Sequence, residues 1–86
     1  MTTRKITVTD EPQKITDGSS TAVIQFTGSV SICDSTTKPS RDAPAIVFHE
    51  IQFPENYRYR IVTVTPPTVA WIWASKAGRT VEVVIL

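Results

Sequence analysis

Residues 68–86, TVAWIWASKAGRTVEVVIL, hold both tryptophans of the chain and its densest run of β-branched residues. Alternation puts Val69, Trp71 and Trp73 on one face of a first strand, and Val81, Val83 and Ile85 on one face of a second. All of these positions are odd-numbered, so a loop of odd length is needed to keep them on the same side of a hairpin. The loop Lys76-Ala77-Gly78 has that length and would pair Trp73 with Val81, Trp71 with Val83 and Val69 with Ile85. It also places Gly78 third, where the common three-residue turn needs a left-handed residue. The stretch predicts a closing hairpin with both indoles on its apolar face.

A second hairpin is expected in residues 21–33, TAVIQFTGSVSIC. Its even positions, Ala22, Ile24, Phe26, Val30 and Ile32, are apolar around Gly28. A loop of Thr27, Gly28 and Ser29 pairs Phe26 with Val30 and Ile24 with Ile32, whereas a two-residue turn would mix the faces. A bent, unbroken strand with Gly28 at a bulge is the other reading. The apolar face of this segment is the natural packing partner for the two tryptophans.

The remaining segments read as short strands and turns. Residues 5–9 (KITVT) alternate, Asp10-Glu11-Pro12 interrupts them, and residues 13–16 can resume the strand. Asp17-Gly18-Ser19-Ser20 is a turn on composition. Residues 34–44, DSTTKPSRDAP, have no hydrophobic period and predict an exposed loop, either a solvated connection or an arm toward a neighbouring subunit. Residues 45–53, AIVFHEIQF, favour a strand whose faces agree only if a bulge near His49 or Glu50 shifts the phase. In residues 57–65, YRYRIVTVT, Tyr57, Tyr59 and Ile61 share one face and Arg58, Arg60, Val62 and Val64 the other. Pro66 and Pro67 end that strand, and the run to Leu86 predicts a paired final strand.

About seven short strands, with no helical period anywhere, point to one all-β domain: a small antiparallel β-sandwich or jelly-roll-like barrel. A single sheet would leave an apolar face in water. A chain of 86 residues buries roughly 60–65% of its unfolded surface, so neighbouring subunits would add useful stability.

Composition excludes most chemistry. Nine basic and eight acidic residues leave a net charge of +1 with both signs scattered, unlike the basic stripe of a nucleic-acid binder. The longest apolar run, residues 69–74, is too short to span a membrane as a helix, and no leader-like apolar stretch follows Arg4 and Lys5. The product is expected to be soluble and made in the cytoplasm. The single Cys33 forbids an internal disulfide and reads as a small hydrophobe, with Asp34 opposing thiolate formation. The single His49 forbids a histidine metal cluster, and apart from Asp10-Glu11 the carboxylates are dispersed. No phosphate loop, calcium loop or zinc spacing is present, so neither an enzyme nor a bound cofactor or metal is expected.

The best binding feature is the run Tyr57-Arg58-Tyr59-Arg60, since tyrosine and arginine are enriched at interface hot spots and can stack on bases or sugars. The ordinary reading is core tyrosines backed by solvated arginines. Trp71 and Trp73 likewise read first as core, and second as a sugar-stacking surface.

The opening strand leading to KITDGSS, the segment IQFTGSVSI, and a Trp-containing strand followed by a small-residue turn and a valine-rich strand resemble small all-β structural proteins of tailed bacteriophages. Capsid decoration and stabilising proteins are the nearest likeness. These elements flank residues 34–54, which have no counterpart in it. The resemblance implies a virion protein made in the host cytoplasm, binding the head surface as a homo-oligomer, commonly a trimer. Its partners would be its own copies and the major capsid protein or another virion protein, with no nucleic acid, membrane or cofactor. Avidity would let many weak contacts clamp capsid junctions. Candidate contacts are Arg4 and Lys5 in an N-terminal arm (residues 1–5), Lys38 and Arg41 in the long loop, and Tyr57, Arg58, Tyr59 and Arg60. The competing readings are a tail or fibre oligomerisation or attachment domain, and a carbohydrate-binding module using Trp71, Trp73 and Tyr57.

Overall fold

The computed structural model describes residues 3–49 and 59–86. Eight strands are formed: β1 (Arg4–Val8), β2 (Gln13–Lys14), β3 (Ala22–Phe26), β4 (Val30–Asp34), β5 (Ile46–Phe48), β6 (Arg60–Val64), β7 (Ala70–Ala74) and β8 (Val81–Ile85). They build two four-stranded antiparallel sheets, a β-sandwich, with no helix among the described residues. The strand beyond the expected seven is β2: residues 13–14, expected to resume β1, pair instead with β7 in the other sheet.

The first sheet has the order β1-β8-β3-β6 and the second β2-β7-β4-β5. The pairs β1·β8, β2·β7, β3·β6 and β4·β5 are concentric in sequence, as in one long hairpin folded back between β4 and β5 and then rolled up. The contacts β3·β8 and β4·β7 close each sheet across the roll. Every connection except β4–β5 therefore passes from one sheet to the other.

Both expected hairpins are overturned by this topology. β3 and β4 lie in opposite sheets, and so do β7 and β8. Ile24 pairs with Val62 and Ile85, and Val30 pairs with Ala74 and Phe48. Alternation reports which residues face apolar space, but not whether that space is shared along a sheet or across the gap between two. Thr27, Gly28 and Ser29 span four Cα steps, about 13 Å, enough to cross the ~10 Å between packed sheets. Phe26 and Val30 keep their inward parity either way.

On β7 the inward face is the other one. Ala70, Ile72 and Ala74 are fully buried in the core, and the tryptophans point outward. The core-facing parity thus changes across residues 75–80, while Val81, Val83 and Ile85 face inward as expected. From the first sheet Val8, Ala22, Ile24, Phe26 and Val64 join them, and the second supplies Val30, Ala70, Ile72 and Ala74, with Ile15 just beyond β2. Phe26 meets Phe48 across the gap edge to face, with centroids 5.5 Å apart at 74°.

Backbone groups outside the ladders are tied locally. The Thr16 hydroxyl, buried, donates to the Thr68 carbonyl and accepts from the Ala70 N–H, each at 2.9 Å. Asp34 Oδ1 accepts from the Val69 N–H at 2.9 Å, fixing the β6–β7 link to the end of β4. The expected turn at residues 17–20 forms: Asp17 Oδ1 accepts from the Ser19 N–H at 3.0 Å, and Gly18 adopts φ 91°. The Leu86 N–H donates to the Val23 carbonyl at 2.8 Å, so the chain stays paired there.

Candidate interface

The outer face of the second sheet carries Lys14, Trp71, Trp73, Ser31, Cys33 and Val47, which follows from the pairs Lys14↔Trp71, Cys33↔Trp71, Ser31↔Trp73 and Ser31↔Val47. A face left in water would expose Trp73, yet Trp73 is only 2% exposed and Ser31 4%. The β4–β5 loop is fastened to the two ends of this face. It starts at the Val69 end of β7, where the Ser35 N–H donates to the Val69 carbonyl at 3.0 Å. The Ser35 carbonyl then accepts from Trp71 Nε1 at 2.8 Å, and Lys38 reaches an ion pair with Glu11. Glu11 belongs to the β1–β2 link, at the Ala74 end of β7, where the Ala74 N–H donates to the Thr9 carbonyl. The loop therefore traverses the tryptophan face lengthwise. Its side chains are mostly exposed, as expected of residues 34–44, and its first half is tied to its own domain through Ser35 and Lys38.

Trp73 has no face left for a ligand, and Trp71 is half-buried, its indole N–H engaged and its ring 5.9 Å from the Lys14 ammonium. Lys38 is engaged with Glu11. Arg41 is exposed and lines, with Asp10, Glu11, Pro12 and Lys38, an open cleft of about 300 Å³.

Arg4 and Lys5 are strand residues, paired with Ile85 and Val84, so the expected arm does not include them. Lys5 makes an exposed ion pair with Glu82 at 3.2 Å, and the Thr7 hydroxyl donates to the same carboxylate at 3.4 Å. Tyr57 and Arg58 lie outside the described residues. Tyr59 is 54% exposed, which corrects the reading of it as a core tyrosine. Arg60 is exposed at the start of β6, its Nε donating to the His49 carbonyl at 3.2 Å, and His49 is itself exposed. The row Lys5–Val84–Gln25–Ile61 crosses the whole first sheet, so the Arg4/Lys5 pair and the Tyr59/Arg60 pair occupy opposite edges. Among the described residues, the candidate contacts are not gathered into one cluster.

What the sequence did not single out is the contrast between those edges. On one side, β1 and β2 present Arg4, Lys5, Gln13 and Lys14, charged or polar residues of the kind that discourage edge pairing. On the other, β5 and β6 present Ile46 and Ile61, 68% and 65% exposed, beside Val47 and Tyr59. Four of the five large apolar residues exposed in the described structure lie along this side. The signal was present: β6 has apolar residues on both parities, and only Val62 and Val64 can face the core.

No group of three or more potential metal ligands occurs among the described residues, and no helix there is long and apolar enough to cross a membrane. No family model, curated protein or solved structure matches the chain.

Proposed function

We propose that this chain is a bacteriophage virion structural protein, a capsid decoration protein that binds the head surface as a homotrimer and stabilises it. The observation that carries the reading is the group of exposed apolar residues Ile46, Val47, Tyr59 and Ile61 on the β5/β6 side of the described sandwich, opposite the strands that present Arg4, Lys5 and Lys14. Exposed large apolar residues gathered on one side of a small domain are characteristic of surfaces completed by another protein. The strand order β1-β8-β3-β6 over β2-β7-β4-β5 also supports the reading, since two such four-stranded sheets are what a jelly roll, an architecture used in viral capsid domains, requires. A trimer would bury apolar surface that an isolated small domain leaves wet, and would multiply weak contacts to the head.

Light scattering of the purified protein, followed by co-sedimentation with purified phage heads, tests this. A trimer that sediments with heads and raises their resistance to heat is the expected result. A monomer that stays in the supernatant would sink the reading, and an oligomer that binds tails but not heads would replace it with the tail or fibre role.

A further inference from the structure

We propose that the cleft between the β3–β4 and β7–β8 links binds a single tetrahedral oxyanion of the phosphate class. The cleft measures about 60 Å³ and is lined by Gly28, Ser29, Lys76, Arg79, Thr80 and Val81. That is far below the roughly 300 Å³ at which pockets for drug-sized ligands begin, and it suits one compact anion. Its lining offers two cationic side chains, two hydroxyls and no carboxylate.

The charges are uncommitted. Lys5 and Lys38 are ion-paired, Lys14 lies against Trp71, and Arg60 is bonded to the His49 carbonyl. Lys76 and Arg79 have no ion pair among the described residues. The acid held at this turn, Asp10, accepts from the Gly78 N–H at 2.9 Å on the turn's own backbone. Arginine's planar fork matches phosphate oxygens, and lysine and hydroxyl donors can satisfy the rest.

The walls are also fixed in advance. The Arg79 N–H donates to the Lys76 carbonyl at 3.2 Å, so both cations rise from one closed turn. Across the cleft, the Ser75 N–H donates to the Ser29 carbonyl at 3.1 Å, and the Ser29 and Ser75 hydroxyls are hydrogen-bonded to each other. A fixed backbone leaves only the two long side chains to be ordered around the anion. This inference stands apart from the virion reading.

The test is a titration of the ¹⁵N-labelled protein at low ionic strength with inorganic phosphate, in parallel with O-phosphoserine and with sodium chloride at matched ionic strength. Saturable amide shifts clustered at residues 28–29 and 76–81 are expected with phosphate and not with chloride. Arg79→Gln, at an exposed position, should weaken binding about tenfold, the loss of one charge-assisted hydrogen bond, while Arg41→Gln leaves it unchanged. Binding of phosphate but not phosphoserine identifies a free anion as the ligand; equal or tighter binding of phosphoserine identifies a phosphate group carried by another molecule. Shifts spread over all basic residues, reproduced by chloride, or retained in full by Arg79→Gln would overturn the proposal.

Discussion

The Trp71 indole N–H is bonded to the Ser35 carbonyl at 2.8 Å, joining the middle of a central strand to the loop that crosses over it. Trp71→Phe removes that donor while keeping an aromatic ring. The expected cost is about 1 kcal/mol in urea unfolding, with faster cleavage of residues 35–45 in limited proteolysis. Unchanged cleavage would show that the loop is held by other contacts.

Trp73, one strand position pair further along, has a different weight. It is 2% exposed on the outer face of its sheet, so Trp73→Ala leaves a large void under the loop. A loss of about 3–5 kcal/mol is expected, which removes most of the stability of a small domain. Trp73→Phe should retain the fold with a smaller loss, and thermal melts of the two variants separate the outcomes.

Two glycines are required for unrelated reasons. A Cβ at Gly28 would stand 2.8 and 2.9 Å from the two Cγ atoms of Val81, so Gly28→Ala overpacks the β3–β4 link and should cost about 1–3 kcal/mol. Adding Val81→Ala should recover part of that cost, giving a double mutant less destabilised than the sum of the singles. Gly78 meets nothing within 4 Å but has φ +76°, so Gly78→Ala should cost roughly 1–2 kcal/mol that no neighbouring truncation restores. Chemical denaturation of the set checks both statements.

Asp17 is held below the ordinary carboxylate range, chiefly by the Ser19 hydroxyl at 2.6 Å and then by the Ser19 N–H. A carboxylate whose folded pKa is depressed contributes stability that is present above its unfolded pKa and is lost as pH falls through the folded value. Ser19→Ala should raise the Asp17 pKa, moving that loss to higher pH, and a carboxyl NMR titration measures it directly. An unmoved titration would assign the depression to the backbone donor alone.

Ile61→Lys and Val47→Lys test the apolar edge. Both residues are well exposed, so each change should alter stability by less than about 0.5 kcal/mol. Light scattering should report a shift from oligomer toward monomer, and head binding should fall with it. Oligomers that persist in both variants would move the interface elsewhere.

The fold class was legible because β-branched residues, turn residues and period-two alternation coincide along most of the chain. Inward parity was read correctly for Ile24, Phe26, Val30, Val81, Val83 and Ile85. It was misread for residues 70–74, because a covered outer face can bury a tryptophan as completely as the core does. The large indoles drew the apolar face toward themselves, while the true inward residues Ala70 and Ala74 are small and look neutral in a sequence. Strand pairing was not legible, since a three-residue link serves a hairpin or a crossing equally well. At the candidate surface, Arg4, Lys5, Lys38 and Arg41 were identifiable as exposed cations, but Lys38 is committed to Glu11, and the apolar edge emerges only once β5 and β6 are known to be edge strands.

The concentric pairing also dictates an order of assembly. Only β4·β5 joins neighbours in sequence, whereas Arg4 finds its partner in Ile85. Loop closure favours the inner pair first, followed by β3·β6 and β2·β7, with β1·β8 sealing the roll. During synthesis, strands β1 to β4, the apolar β3 among them, must wait without their partners until the second half of the chain emerges. The charges on β1 and β2 are of the kind that discourages pairing with a wrong neighbour, in that early chain as at the edges of the finished sandwich.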